Sequence, residues 1–497
     1  TLIGTTGQAY EDGMRFIQFY FGLPLAMIIL CVTAVPLFYR ARVFTAYEYL
    51  EQRFDAKTRT LTSFFFLLSR GLGAGVIIAA PAVVLSIVLG WDELVTIFVI
   101  GLSTTVYTML GGVQSVTWTD VKQMVIILVG LSLCVFVIIT NLPAGVSFND
   151  AMNVAGAAGK LQTIDFTFDL TEPYTIWSGM IAALFLFLSY FGCDQSQVQR
   201  YLTARSVDEG RVSLLMSAFL KIPMQFLFLL VGILVFVFYL FSTPPMIFNE
   251  EDVTRAAQVQ PLEHERLQGE FAEAHQLRHS AALRFIEERG SAEQVTARAN
   301  YIAANETYQD KRREATEFVR QTNGDSSFTD VNYVFPVFVL ENMPLGLVGL
   351  IVAAILAAAM SSVAAELNAL ATASTMDFYR RHINVNSSEK QMLRFGRLST
   401  LAWGVFACIV ATFATNLGSL IEVVNTFGSF FYGSLLGVFV LAFAVPRAKS
   451  AGAFYGLLFG IVSVWIASST TDIAFLWFNV VGCLVTVAAG YLISIVR

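Results

Sequence analysis

The feature that most constrains this chain is a recurrence of apolar runs, each free of charge and twenty or more residues long. They fall at 16–39, 71–91, 94–119, 123–149, 173–193, 222–249, 342–365, 398–421, 423–446, 450–471 and 473–496. About 20 such residues cross a hydrocarbon core of about 30 Å. Two runs extend past isolated charges: 60–90 past Arg70, and 208–243 past Arg211 and Lys221. Lipid cannot satisfy the backbone of an open strand, so spans of this length are helices. The spacing therefore predicts an all-α polytopic membrane bundle of eleven full spans, with a short leading piece at 1–14.

Composition agrees where it is needed. Only 14% of residues are charged and mean hydropathy is +0.64, against about 25% charged residues in an ordinary soluble domain. The five cysteines, Cys31, Cys134, Cys193, Cys408 and Cys483, all lie in apolar runs. They are expected to act as small hydrophobes rather than as a disulfide framework or metal site. The chain shows no secretory signal and opens on Thr1, so its natural start is expected upstream.

Lys and Arg set the orientation. Arg40, Arg42, Arg53, Lys57 and Arg59 fill the first connecting loop, and Arg200, Arg205 and Arg211 a later one. Arg380, Arg381, Lys390, Arg394 and Arg397 follow the span ending near 380, and Arg447 and Lys449 follow 423–446. All these loops share one side if the spans alternate, and the positive-inside rule makes it cytoplasmic. Trp118, Thr119 and Asp120 fall on that side, and the expected location is the inner membrane of the cell.

Residues 246–330 break the apolar pattern. They carry sixteen acidic and ten basic side chains, which accounts for the whole net charge of −6. "PLEHERLQGEFAEAHQLRHSAALRFIEERG" and "SAEQVTARANYIAANETYQDKRREATEFVR" predict two helices, with Gly290 as a C-cap and Ser291 as an N-cap between them. Topology places this soluble helical hairpin outside, as a cap or as the docking surface of an extracytoplasmic protein partner. His275 and His279 lie one turn apart with His264 nearby. Zinc is conceivable there, but no cysteine or clear fourth ligand completes a site, and a solvated surface is expected.

Polar groups inside a membrane bundle are candidates for function. In "IVAAILAAAMSSVAAELNALATAS" (351–374), small residues permit close helix approach. Residues three and four positions after a carbonyl lie above it on a helix, so Ser361 and Ser362 sit near the carbonyl of Ala358. Three converging oxygens suit a small hard cation held without a full charge. Hydroxyls bonding back to the preceding turn account for the same residues. Glu366 and Asn368 follow; a solvated cytoplasmic-side position is expected for Glu366, with proton uptake or pairing with Lys122 as the alternative.

"GGVQSVTWTDVKQMVIILVG" (111–130) closely resembles the signature of the sodium/solute symporter family, whose members include bacterial carriers of galactose, proline and sialic acid. "YFGCDQSQVQRYLTARS" (190–206), "AAAMSSVAAELNALATASTMDFYRR" (357–381) and "TAYEYLEQRF" (45–54) resemble three further family blocks. They recur in family order across nearly the whole chain, apart from 246–330.

The resemblance implies a LeuT-like fold of two inverted five-helix repeats with solute held midway across the bilayer. The first repeat would be 1–145, followed by an extracytoplasmic loop at 146–172. The second would comprise 173–245 and 331–446, and 447–497 would add two C-terminal helices. It also implies a sodium site at the Ala358 carbonyl and the Ser361 and Ser362 hydroxyls. The remaining ligands belong to a half-helix expected before Thr1. Relatives that bind a second sodium use the triplet's Asp and further hydroxyls beyond the Ser pair, where this chain has Ala364 and Ala365. One sodium per cycle is the expectation, with Asp120 at the cytoplasmic exit of the cation path.

Tyr190 matches an aromatic gate and Asn425 a polar residue of the galactose carriers. Phe187, Tyr20 and Tyr333 replace their sugar-binding groups, so galactose-like recognition is not expected. The expected function is symport of a small organic solute with sodium across the lipid bilayer; no nucleic-acid partner is implied. Alternatives are proton-coupled symport by the same fold and a transporter-like solute sensor. Scarce intramembrane acids and a single histidine outside the insertion, His382, argue against an enzyme.

Overall fold

The computed structural model describes residues 2–202, 204–414 and 417–496; side chains of 112–121 fall outside the described residues. Among them the protein is helical throughout, with no strand. Among the described residues ten helical segments are long and apolar enough to cross a membrane, or eleven when a bent pair, Ser178–Gly192 with Gln195–Leu202, counts as one span.

The leading piece runs into the first span. Helix α1 (Gly4–Asp12) passes through a 3-10 segment, Gly13–Tyr20, into α2 (Leu23–Val32) and α3 (Ala34–Ala41). Gly13 makes the junction with φ of 72°, and a Cβ there would lie 2.3 Å from the Lys160 carbonyl oxygen. A side chain is thus excluded on both counts. Helix α4 (Ala46–Arg53) is capped by Thr45, and α5 (Ala56–Leu89) by Asp55. Helix α6 (Glu93–Thr140) carries the apolar segments Glu93–Gly111 and Lys122–Thr140. The loop expected at 146–172 contains α7 (Phe148–Ala157), started by a Ser147/Asp150 capping box.

A π-helical turn, Ser178–Ala182, leads into α8 (Ala183–Gly192), and α9 (Gln195–Leu202) leaves it at 56°. Helix α10 (Val207–Phe241) follows, and the insertion comprises α11 (Glu250–Val259), α12 (Pro261–Glu287) and α13 (Gln294–Asn323). Then come α14 (Val331–Asn342), α15 (Leu345–Ala373) with a π-helical end at Ser374–Ile383, α16 (Glu389–Ala414) and α17 (Leu420–Ala444). Helices α18 (Ser450–Thr470) and α19 (Trp477–Val496) pack on each other, and α19 lies along α17. Helix α1 is wedged between α10 and α14: a Cβ on Gly232 would lie 2.3 Å from the Thr6 carbonyl oxygen, and one on Gly7 2.1 Å from that of Val331.

The insertion departs from its sequence picture in three ways. Helix α11 was not expected. The turn between the long helices is wider than a Gly290/Ser291 junction: α12 ends at Glu287 and α13 starts at Gln294. Gly290 does take the left-handed conformation, with φ of 81°, and Ser291 Oγ accepts the Glu293 N–H at 3.1 Å. The hairpin is also not solvated on all sides. Its apolar face packs on α7 and the end of α10 through Val154, Leu240, Ala282, Phe285, Ala297 and Tyr301. Arg289 clamps Asp150 of the capping box at 2.6 Å.

His275 belongs to this buried face rather than to a wet surface. It is 7% exposed with its ring beside Tyr308, and among the described residues no cluster of three potential metal ligands exists. Burial first, then the charges of Arg278 and His279, pushes its pKa from 6.5 down to about 4. Between those values the unfolded chain binds the proton and the folded chain does not, so stability falls as pH drops from about 6.5 towards about 4. His275→Gln is expected to flatten that limb when Tm is followed over this pH window; an unchanged limb would place its origin elsewhere.

Candidate functional site

Where α8 gives way to α9, Asp194 makes the break. Its Oδ1 accepts the Ser196 N–H at 2.8 Å and the Ser196 hydroxyl at 2.6 Å, capping α9, while its Oδ2 accepts from Arg70 Nε. The same guanidinium donates Nη1 to Glu366 Oε1 of α15 at 2.8 Å. It lies between two rings, 4.9 Å from the centroid of Tyr190 and 5.4 Å from that of Tyr432. Arg70, Asp194 and Glu366 are 4%, 2% and 6% exposed. One cation therefore joins α5, the α8–α9 break and α15 in an apolar interior, facing two carboxylates. Arg70 Nη2 and Glu366 Oε2 stay buried without a hydrogen-bond partner among the described residues. Charge in such a setting persists only when paired.

This placement corrects the expectation for Glu366, which is buried rather than solvated: its partner is Arg70, and Lys122 is exposed. Two members of the triad, Arg70 and Asp194, were absent from the sequence-derived site residues. Tyr190 does lie at this junction, with Gln197 donating to its hydroxyl at 2.9 Å. Asn425 donates to the Ile421 carbonyl of its own helix at 2.7 Å. Next to it, Val424 shares the neighbourhood of Gly73 with Glu366 Oε2: a Cβ on Gly73 would lie 3.9 Å from the Val424 side chain and 3.8 Å from that oxygen. Tyr20 and Phe187 come together, ring centroids 5.9 Å apart, in an aromatic cluster with Phe16, Phe19 and Tyr174. Tyr333 stands apart on α14.

On α15, Ser362 donates to the Ala358 carbonyl at 2.9 Å, and Ser361 is buried at 9% exposure. One carbonyl and two hydroxyls within a turn are neutral oxygens of the kind a small hard cation takes, but Ser362 is exposed and its hydroxyl makes the back-bond to the preceding turn that accounts for it without a cation. Ala364 is fully buried and adds no oxygen. The side chains of Asp120, Trp118 and Thr119 fall outside what is described.

Below the triad, toward the basic loops, two of the sequence blocks meet. Asp377 accepts from Arg59 at 2.6 Å, from Thr45 at 2.9 Å and from Ser63 at 2.9 Å, and Arg59 also pairs with Glu51 at 2.8 Å. At the opposite end a cleft of about 940 Å3 opens between α13 of the insertion and the ends of α1 and α17. Arg312, Arg313, Glu317 and Arg320 line one wall, and Asp12 and Glu422 the other.

An all-α bundle with a broken helix, a buried charge triad at the break and a polar cleft at one end is the build of a multi-pass membrane carrier. The model of the sodium:solute symporter family matches residues 1–264 and 321–460, and the chain belongs to that family. The unmatched residues 265–320 fall within the insertion. A sodium/sialic acid symporter of Aliivibrio fischeri is 26% identical, over 99% of this chain and 82% of its own length. A mouse sodium-coupled monocarboxylate transporter 2 is also 26% identical, over 99% of this chain and 74% of its own. The solved structure of a sodium-coupled sialic acid symporter, in a substrate-bound outward-open state, superposes over 100% of this chain and 86% of that one. Its TM-score is 0.75 at 23% identity. The fold is thus LeuT-like, and the chain belongs to a family of solute carriers rather than of enzymes.

Proposed function

We propose that this protein carries a small organic solute into the cell across the inner membrane by alternating access, with one sodium per cycle. The observation that carries the reading is the Arg70–Asp194–Glu366 triad, which ties α5 to the break between α8 and α9. We assign 1–145 and 173–446, without the 246–330 insertion, as the two inverted repeats, so the triad spans both. Breaking the Arg70–Asp194 contact would free the α8–α9 break to move against α5. The cation would be held by the Ala358 carbonyl with Ser361 and Ser362, and Asp120 would serve its exit. Tyr190 would close on the solute, and Asn425 would turn from its own helix to meet it. Inward sodium movement makes about 2.3 kcal/mol available per charge per 100 mV. Because cation and solute must favour the same state, their affinities are coupled reciprocally.

The relatives are named for sialic acid and monocarboxylates, both anionic. Arg70 is already shared by two carboxylates and offers an anion little net positive charge, so the solute is assigned only as a small organic molecule meeting the aromatic cluster around Phe187. The outer face of the insertion, where Leu262 and Val295 are exposed, is the surface for an extracytoplasmic protein partner. Proton coupling is the second reading, favoured by the unpartnered Glu366 Oε2.

Uptake into proteoliposomes with sodium replaced by choline at fixed pH decides between them: loss of uptake supports sodium, and undiminished uptake that follows a pH gradient supports the proton. Sodium dependence should be hyperbolic; a sigmoidal curve would require a second ion. Ser361→Ala and Ser362→Ala are each expected to raise the sodium concentration for half-maximal uptake by about tenfold, the equivalent of about 1.4 kcal/mol. An unchanged sodium requirement in both would remove the Ser pair from the site.

A further inference from the structure

The insertion meets the transporter core over a second set of buried charges. Arg312 of α13 is 3% exposed and forks onto Asp330 at 2.9 and 3.0 Å; it also reaches Glu11 at 3.2 Å. Lys160 donates to the Glu11 backbone carbonyl and lies 4.9 Å from the Phe236 ring. Arg278 of α12 lies 5.5 Å from the same ring. Both carboxylates of the cluster, Glu11 and Asp330, are engaged by Arg312. Arg278 is 0% exposed, yet no carboxylate lies within ion-pair distance of it among the described residues.

Arg278 makes one hydrogen bond, from Nη2 to the Tyr239 carbonyl at 2.8 Å, and rests 3.6 Å above the Tyr308 ring. Among the described residues its Nε and Nη1 have no partner, and neither do the hydroxyls of Tyr301 and Tyr308, both fully buried. Tyr301, Asn305 and Tyr308 share the face of α13 that also carries Arg312. The Asn305 Oδ1 is likewise unpartnered, and with the amide turned end for end the residue presents N–H donors instead. His275, one turn before Arg278, has an unpartnered Nδ1 and a ring 6.1 Å from Tyr308. Unpartnered polar atoms of Tyr301, Asn305, Tyr308 and His275 thus lie on the faces of α12 and α13 that carry one permanently charged group, Arg278, which has no ion-pair partner among the described residues. A water molecule would satisfy the hydrogen bonds but not the charge; a single monovalent anion satisfies both.

We propose that Arg278, framed by Tyr301 and Tyr308, binds a small monovalent anion of the halide type, which pins the insertion to the outer end of the carrier. The site joins α12, α13 and the end of α10. Its occupancy sets how firmly α13 forms the cleft wall, separately from the cation path on α15.

The test uses the purified full chain in detergent at constant sodium and ionic strength, with chloride or bromide replacing gluconate. Tm should rise and saturate with chloride, bromide should act alike, and gluconate should give no rise. Arg278→Gln should abolish the rise. Tyr308→Phe, which keeps the ring under the guanidinium, should shift the chloride titration to higher concentration by about threefold or more, as loss of one hydrogen bond implies. The second variant carries the test should the first fail to fold. Equal Tm in chloride and gluconate, or a chloride titration unchanged in Tyr308→Phe, would overturn the proposal. Neither readout involves uptake, so its failure is distinct from failure of the transport reading.

Discussion

Arg70→Met is expected to abolish solute uptake and to give the largest loss of stability of any single substitution in the membrane core. The substitution keeps much of the apolar volume but leaves Asp194 and Glu366 buried, close together and without a cation. Removing one partner of a buried pair costs about 3–5 kcal/mol, and here two carboxylates are stranded at once. The break between α8 and α9 loses the contact that holds it against α5, and the Tyr190 and Tyr432 rings lose the cation between them. Arg70→Lys preserves charge without the planar fork that reaches two carboxylates, so it should fold yet transport poorly. Glu366→Gln keeps the Arg70–Asp194 contact and should retain a near-normal Tm. Combining Arg70→Met with Glu366→Gln should recover part of the lost stability and none of the uptake. Thermal unfolding with proteoliposome uptake checks all four; wild-type uptake by Arg70→Met would remove the triad from the transport cycle.

What the sequence makes visible and what it conceals divide along a physical line. Membrane spans depend on a local property, charge-free length, and they can be placed without any structure. The long insertion helices depend on nearby polar periodicity and are likewise legible, although the turn at 288–293 is wider than its Gly-Ser pair implies. Ser361 and Ser362 stand out because the relevant spacing is one turn of one helix.

The triad is different in kind. Arg70 lies 124 residues from Asp194 and 296 from Glu366, and no local pattern records a contact over that distance. A signal did exist: an arginine in mid-span must find partners, and Asp194 and Glu366 are among the few acids in apolar surroundings. The Asp194-x-Ser196 pattern opening α9 is also a capping pattern, and it marks the break at the point where the apolar run 173–193 ends. His275 and Arg278 escaped for the same reason. On their own helix they belong to a charged sequence that looks solvated, and only the packing of α12 on α13 and α10 shows which face is dry.

Arg312→Met is the second large effect expected, and it separates the insertion from the membrane core as contributors to stability. Arg312 is the one residue of α13 that pairs with both α1, through Glu11, and the start of α14, through Asp330. Asp330 is buried at 3% exposure, and burial drives its carboxyl above the usual range while Arg312 opposes that. Without the guanidinium, Asp330 either takes up a proton or bears a naked charge, and the loss again falls at about 3–5 kcal/mol. Glu11 is partly exposed and can recover hydration, so most of the cost is carried by Asp330. The consequence should be local. Helix α13 should detach from the cleft wall, and trypsin should cut more readily at Arg289 in the 288–293 turn, while the membrane helices stay assembled. Arg312→Met with Asp330→Asn should restore much of the protease resistance, because the stranded carboxylate is gone even though the pair is not rebuilt. Equal sensitivity of the single and double variants would mean that the cation–π contacts of Arg312 to Phe248 and Tyr10, at 5.0 and 5.5 Å, rather than its ion pair, hold the insertion in place.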